Sequence, residues 1–197
     1  MTHILTQIHD DGNITRREGF DFLTFLMTDK EKGDFVRKIY LHEKTRLMWN
    51  RLKWFVELAD SQNYDSVKVF FLIALAEANI KLLGDRFDHT DKQVDDVKRF
   101  FNFFSVEDRQ FLESKFLFPL VYGEIQQKVT FKNIVEILLN VRHKVVHGKN
   151  HYQFIFNNCR TEGELNKQKF PYDLQMNYDE FRTIIIKYAT LNIKNIL

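Results

Sequence analysis

Breakers are scarce in this chain. Two prolines and seven glycines in 197 residues leave few interruptions, and that scarcity points to an all-α fold of long helices. The single cysteine, Cys159, excludes an internal disulfide framework and fits a reducing compartment, so the cytoplasm is the expected location. No apolar run reaches the ~18 to 20 residues that a membrane span needs, and Met1 to Asp11 has neither the basic start nor the apolar stretch of a signal peptide. No membrane partner is expected. A strong charge of one sign is also missing: 29 Lys and Arg against 27 Asp and Glu leave +2, which excludes a bulk nucleic-acid coat.

What is present is an ordinary globular balance of 44% hydrophobic and 28% charged residues, and the length suits one domain over 1–197. Twenty phenylalanines are many for this length, but they indicate no function. The first stretch reads two ways: ILTQIH, DDGN and ITRREGF form a small hairpin, or Thr15 caps a short helix. From Asp34 to Ser61, Phe35, Ile39, Met48, Leu52, Phe55 and Val56 predict one long amphipathic helix. Asp65 then caps an eighteen-residue segment that is apolar all round and ends at Gly84, as a central core helix would. Lys68, Glu77, Asn79 and Lys81 make that segment costly to insert in a bilayer. Asp91–Phe104 and Val106–Leu120 predict two shorter helices divided at Ser105, with Asp108 in the capping-box position, closed by Pro119 and Gly123. A polar stretch over 151–176 is expected to be an insertion or mobile loop with a small irregular or β element, and Asp179–Leu197 supplies a last helix. The whole is a bundle of four to six helices.

Chemistry concentrates between Thr130 and Asn150. A helix from Phe131 to about His147 sets Phe131, Ile134, Val135, Leu138, Val145 and Val146 on one arc, with Lys132, Glu136, Asn140, His143 and His147 opposite. Arg142 breaks the pattern, because it falls inside the apolar arc where an unpaired guanidinium is costly. Glu77, isolated in the central helix, is the expected bidentate partner. Charge gathers here as well: from Gln126 to Lys169 eight Lys and Arg face three Glu. An anionic ligand is compatible with that excess.

Arg142-His143-Lys144-Val145-Val146-His147-Gly148 resembles the Arg, polar residue, three variable residues, His signature of the HEPN domain family, helical proteins common among prokaryotic toxins and RNA-targeting defence systems. The resemblance implies a HEPN-like bundle acting as a metal-independent endoribonuclease with no cofactor, in which a homodimer joins two copies of the motif. Attack of a ribose 2′-hydroxyl on the neighbouring phosphate would use His147 for proton transfer and Arg142 for the charge on the phosphoryl oxygens, with His143 orienting the substrate or serving as a second acid/base group. Glu77 and Asn140 would support them, and Lys144 and Lys149 would contact RNA. An antitoxin or defence-complex partner is a further implication. One branch of the family carries a modified Tyr two residues after the motif His; here Lys149 stands there, and regulation of that kind is unsupported.

Other readings remain beside this one. His143 and His147 also suit a solvated helix end, where the dipole favours cations. Their i,i+4 spacing, with His151, also suits zinc, though no Cys lies near and no Glu follows His143. Trp49 and Trp54 read as core, and Phe154 and Phe156 as an aromatic plug, with base stacking the sharper alternative for the aromatics after the motif. A catalytically silent HEPN-like module that binds RNA, nucleotide or a protein is the alternative function.

Overall fold

The computed structural model describes residues 27–84, 93–118, 128–148, 154–165 and 168–197. The hairpin-or-helix stretch before Met27, and Asp91, Pro119, Gly123, Lys149, His151 and Tyr152, lie outside the described residues. Among the described residues the chain is mostly helical with a small antiparallel sheet, as the scarcity of breakers implies.

The helix expected over Asp34–Ser61 is two helices. α1 (Asp29–Leu41) starts from a capping box between Thr28 and Glu31, and α2 (Glu43–Asp60) follows after His42, whose backbone is extended at φ −124° and ψ 129°. The apolar spacing explains the break. Ile39 and Met48 are nine positions apart, which puts them about 180° apart on one continuous helix, so a straight rod could bury only one half of the stripe. Breaking at His42 lets both halves face the core, and the buried Thr45 hydroxyl donates to the Ile39 carbonyl (2.8 Å) and to that of His42 (3.0 Å), which also accepts from the Arg46 N–H (3.0 Å). The same geometry corrects Trp54. Trp49 is fully buried, but Trp54, about 140° round the helix, is 50% exposed with the Arg51 guanidinium 5.9 Å over its ring.

α3 (Asp65–Leu83) is the central helix, packed against α2 and against three later helices: α4 (Gln93–Asn102), α6 (Phe131–Val146) and α7 (Tyr178–Lys194). Its cap is Tyr64, not Asp65. The Asp65 carboxylate instead accepts from the Phe156 backbone N–H at 3.1 Å and pairs with Lys68 at 3.3 Å, tying a distant segment to the start of the helix. Gly84 ends α3 as expected.

Ser105 caps α5 (Val106–Lys115) by accepting from the Asp108 N–H at 3.2 Å. The reciprocal half of a capping box is absent, because the Ser105 N–H donates to the Tyr188 hydroxyl at 2.6 Å. Asp108 Oδ2 instead accepts from that hydroxyl at 2.5 Å and from Lys187 at 2.6 Å, while the Tyr188 ring stacks on Phe104 at 4.0 Å. α5 stops at Lys115 rather than Leu120. There the backbone extends into the two-residue strand β1 (Phe116–Leu117), with Phe116 wholly buried.

The stretch read as an insertion or mobile loop supplies the β element: β2 (Asn158–Leu165) and β3 (Gln168–Leu174) pair antiparallel, and β3 also pairs with β1, giving the order β1-β3-β2. Phe154, Phe156, Tyr172, Leu174 and Met176 are buried in the same core as the helices, which is the aromatic-plug reading of Phe154 and Phe156. α7 begins with a capping box between Asn177 and Glu180 and ends at Lys194, three residues short of the expected Leu197.

Replacing Thr45 by Val removes the hydroxyl donor from the Ile39 carbonyl at the α1–α2 break, while the His42 carbonyl keeps the Arg46 N–H, so urea unfolding should show a loss of about 1–3 kcal/mol. Asp108 adds a pH dependence. Burial opposes its charge, but the hydrogen bonds from Lys187, Tyr188 and Ser105 outweigh burial and hold its carboxyl below the usual range. A depressed folded-state pKa stabilises above the unfolded value and loses that stabilisation as pH falls through the folded value. The stability gap between wild type and Asp108→Asn should therefore be constant near neutrality and shrink below about pH 4.

Candidate functional site

α6 carries the motif. Thr130 caps its start by accepting from the Asn133 N–H at 3.4 Å, and Glu113 of α5 accepts from the Phe131 N–H at 2.7 Å, placing a carboxylate at the positive helix end. Ile134, Val135, Ile137, Leu138 and Val141 form the buried face. Val145 packs at its edge, whereas Val146, expected on the apolar arc, is exposed because the helix has by then run past the core. His147 is the C-cap, its N–H donating to the His143 carbonyl at 3.1 Å. Gly148 follows at φ +57°, a left-handed turn that a residue with Cβ enters only with strain.

Arg142 leaves α6 toward α3 and α4. Its Nη2 donates to Glu77 Oε2 at 2.5 Å and to Gln93 Oε1 at 3.0 Å. The partner expected from placement is therefore in contact, but the two-pronged pairing is not formed. Glu77 Oε1 is taken by Lys81 Nζ at 2.7 Å, one turn along α3, and Arg142 Nε is buried with no partner among the described residues. One carboxylate serves two cations. The three side chains are mostly covered, at 10% exposure for Glu77, 15% for Lys81 and 18% for Arg142.

The histidines occupy the other side. His143 and His147 are both exposed, with ring centroids 4.3 Å apart, as i,i+4 neighbours should be. Arg142 and His147 differ by five positions, roughly 140° of helix rotation, and α6 stays regular through Val146. The structure thus brings His143 to His147 and Arg142 to Glu77, and does not bring the two pairs together. Asn140 and Lys144 are half-buried on the same helix. Lys149 lies outside the described residues.

No family model matches the chain, nor does any curated protein or solved structure. The site therefore stands on its own geometry. Lys81 and Gln93 were not foreseen as part of it. Lys81 was legible in principle, since Glu followed by Lys at i,i+4 on one helix is a favourable pair. Gln93 carried no signal, because its contact depends on how α4 docks. Elsewhere, a shallow cleft of about 540 Å³ lies between α5 and the start of α7, lined by Asp108, Phe111, Asn177, Asp179, Glu180, Thr183 and Ile184. Its Asp108 and Glu180 are already engaged by Lys187, Tyr188 and Lys115.

Two cations on one carboxylate make a quantitative expectation. Removing a partner from a buried pair ordinarily costs about 3–5 kcal/mol, because a bare charge remains. Arg142→Met should cost clearly less in denaturant unfolding, since Lys81 stays on Glu77, and the double variant with Lys81→Met should cost more than the two single changes added.

Proposed function

We propose that this chain is a HEPN-type endoribonuclease that cleaves RNA without a metal, acting as a homodimer in a toxin or antiviral defence setting in the cytoplasm. The observation that carries this reading is the last turn of α6: Arg142, His143 and His147 sit at the end of a helix whose two imidazoles face solvent 4.3 Å apart, with a guanidinium at the surface boundary. These are the groups that the reaction needs. The ribose 2′-oxygen attacks the adjacent phosphorus and the bond to the 5′-oxygen of the next nucleotide breaks. One group takes the 2′-proton, another returns a proton to the leaving oxygen, and a cation holds the equatorial oxygens. His147 and His143 suit the proton steps, whether within one protomer or across two. Arg142, always protonated, suits the phosphoryl charge. Asn140 and Lys144 border the same helix end, and Lys149 follows it in sequence.

A second reading is favoured by a specific contact. Arg142 already has Glu77 and Gln93 as partners, about 140° from His147 around the helix, which suits a silent module that binds RNA, nucleotide or a protein through its exposed histidines.

The deciding assay incubates purified protein with mixed RNA in EDTA. Wild type should cleave, and Arg142→Ala and His147→Ala should each lower kcat/KM by about 10²–10⁴. Cleavage that survives both changes would point away from this site, and intact RNA with measurable RNA binding would favour the silent module. A monomeric mass at high protein concentration would count against a composite dimer site.

A further inference from the structure

The arrangement around Glu77 raises a question that the ribonuclease reading leaves open. A guanidinium that is to meet a phosphate must leave the carboxylate it is bound to, and a mostly buried carboxylate does not tolerate being left bare. Here it is not left bare. Lys81, on the same helix one turn away, holds Oε1 at 2.7 Å while Arg142 holds Oε2 at 2.5 Å, and Gln93 accepts from the same Nη2 at 3.0 Å.

We propose that Lys81 is a positioning residue that makes Arg142 releasable: it keeps Glu77 neutralised while the guanidinium moves from Glu77 and Gln93 to an RNA phosphate. Three features carry the inference. Glu77 divides its two oxygens between two cations rather than gripping one with both, so each contact breaks without the other. Arg142 is attached through a single nitrogen, a hold that is easier to undo than a fork, and its Nε is already without a partner among the described residues. Lys81 and Glu77 share α3, so their contact survives any shift of α6. Glu77, Lys81 and Arg142 together carry one net positive charge, which favours an anion beside them. Gln93 is a neutral acceptor for the same Nη2, so the second contact that has to break adds no charge to the grip.

This inference rests on the ribonuclease reading, and the test separates the two. Lys81→Met should lower kcat/KM roughly tenfold, a smaller loss than the ~10²–10³ that follows removal of a charge-stabilising donor. Lys81→Arg should recover most of it. The decisive variant is Lys81→Met combined with Glu77→Gln, which removes the charge that traps Arg142 and should restore turnover above the single change. A merely structural Lys81 predicts the opposite, a double variant no better than the single one, and that result overturns the inference. Wild-type turnover in Lys81→Met while Arg142→Ala is inactive also overturns it, leaving the ribonuclease reading intact. If wild type cleaves nothing, that reading fails, and affinity for a 2′-O-methyl oligonucleotide decides: weakening by Lys81→Met that Glu77→Gln reverses upholds the exchange, and unchanged or absent binding ends it. Thermal melts establish that each variant is folded at the assay temperature, with Lys81→Gln in place of Lys81→Met if the latter is not.

Discussion

A helix that is apolar on every side has to be enclosed on every side, and α3 imposes that requirement on the rest of the chain. α2, α4, α6 and α7 all pack against it. Its few polar groups must then be answered from those neighbours, because water does not reach them. Asn79 donates to the Ala189 carbonyl at 3.2 Å and accepts from Asn192 at 2.7 Å, which sets α7 against α3. Glu77 does the same for α6 through Arg142. The residue that interrupts the apolar arc of α6 is thus the complement of the residue that interrupts the apolar girth of α3.

Much of this was legible in the residues themselves, and the boundary of what was legible has physical causes. Periodicity located α6 and α7, because a stripe of apolar residues at helical spacing has one main explanation, and α3 was legible as a continuous apolar run bounded by Asp65 and Gly84. The same tool missed the break at His42, since counting threes and fours within each half hides a phase jump between them. It also put Trp54 in the core, because residue type was allowed to stand for position on the helix. The contact of Arg142 with Glu77 followed from two misplaced charges needing each other. Its single-nitrogen form did not follow, because the second Glu77 oxygen is claimed by Lys81, and one-dimensional spacing does not arbitrate between two suitors. Asp65 and Asp108 show a related limit. Both sit where a helix start wants an acid, and both are recruited by residues far along the chain: the Phe156 backbone in one case, Lys187 and Tyr188 in the other.

At the end of α6 the helix face that solvent sees and the face that the core sees carry different parts of one motif. The exposed imidazole pair is open to a ligand from solvent, whereas the mostly covered guanidinium is held by Glu77 and Gln93. The sequence distance between Arg142 and His147 therefore sets a mechanical relation as well as a pattern: one turn plus one residue separates a solvent-facing group from a core-facing group. Any ligand contacted by both must lie along the edge between those faces.

The small sheet has a consequence for the order of assembly. β1 directly follows α5, yet its partner strand β3 lies beyond α6, so the Phe116–Leu174 and Leu117–Asp173 pairs close a long loop that contains the entire motif helix. Long-range strand pairing of this kind is entropically late compared with local helix formation. The local helix that bears Arg142 and the histidines thus lies inside a loop whose closure carries the larger entropic cost.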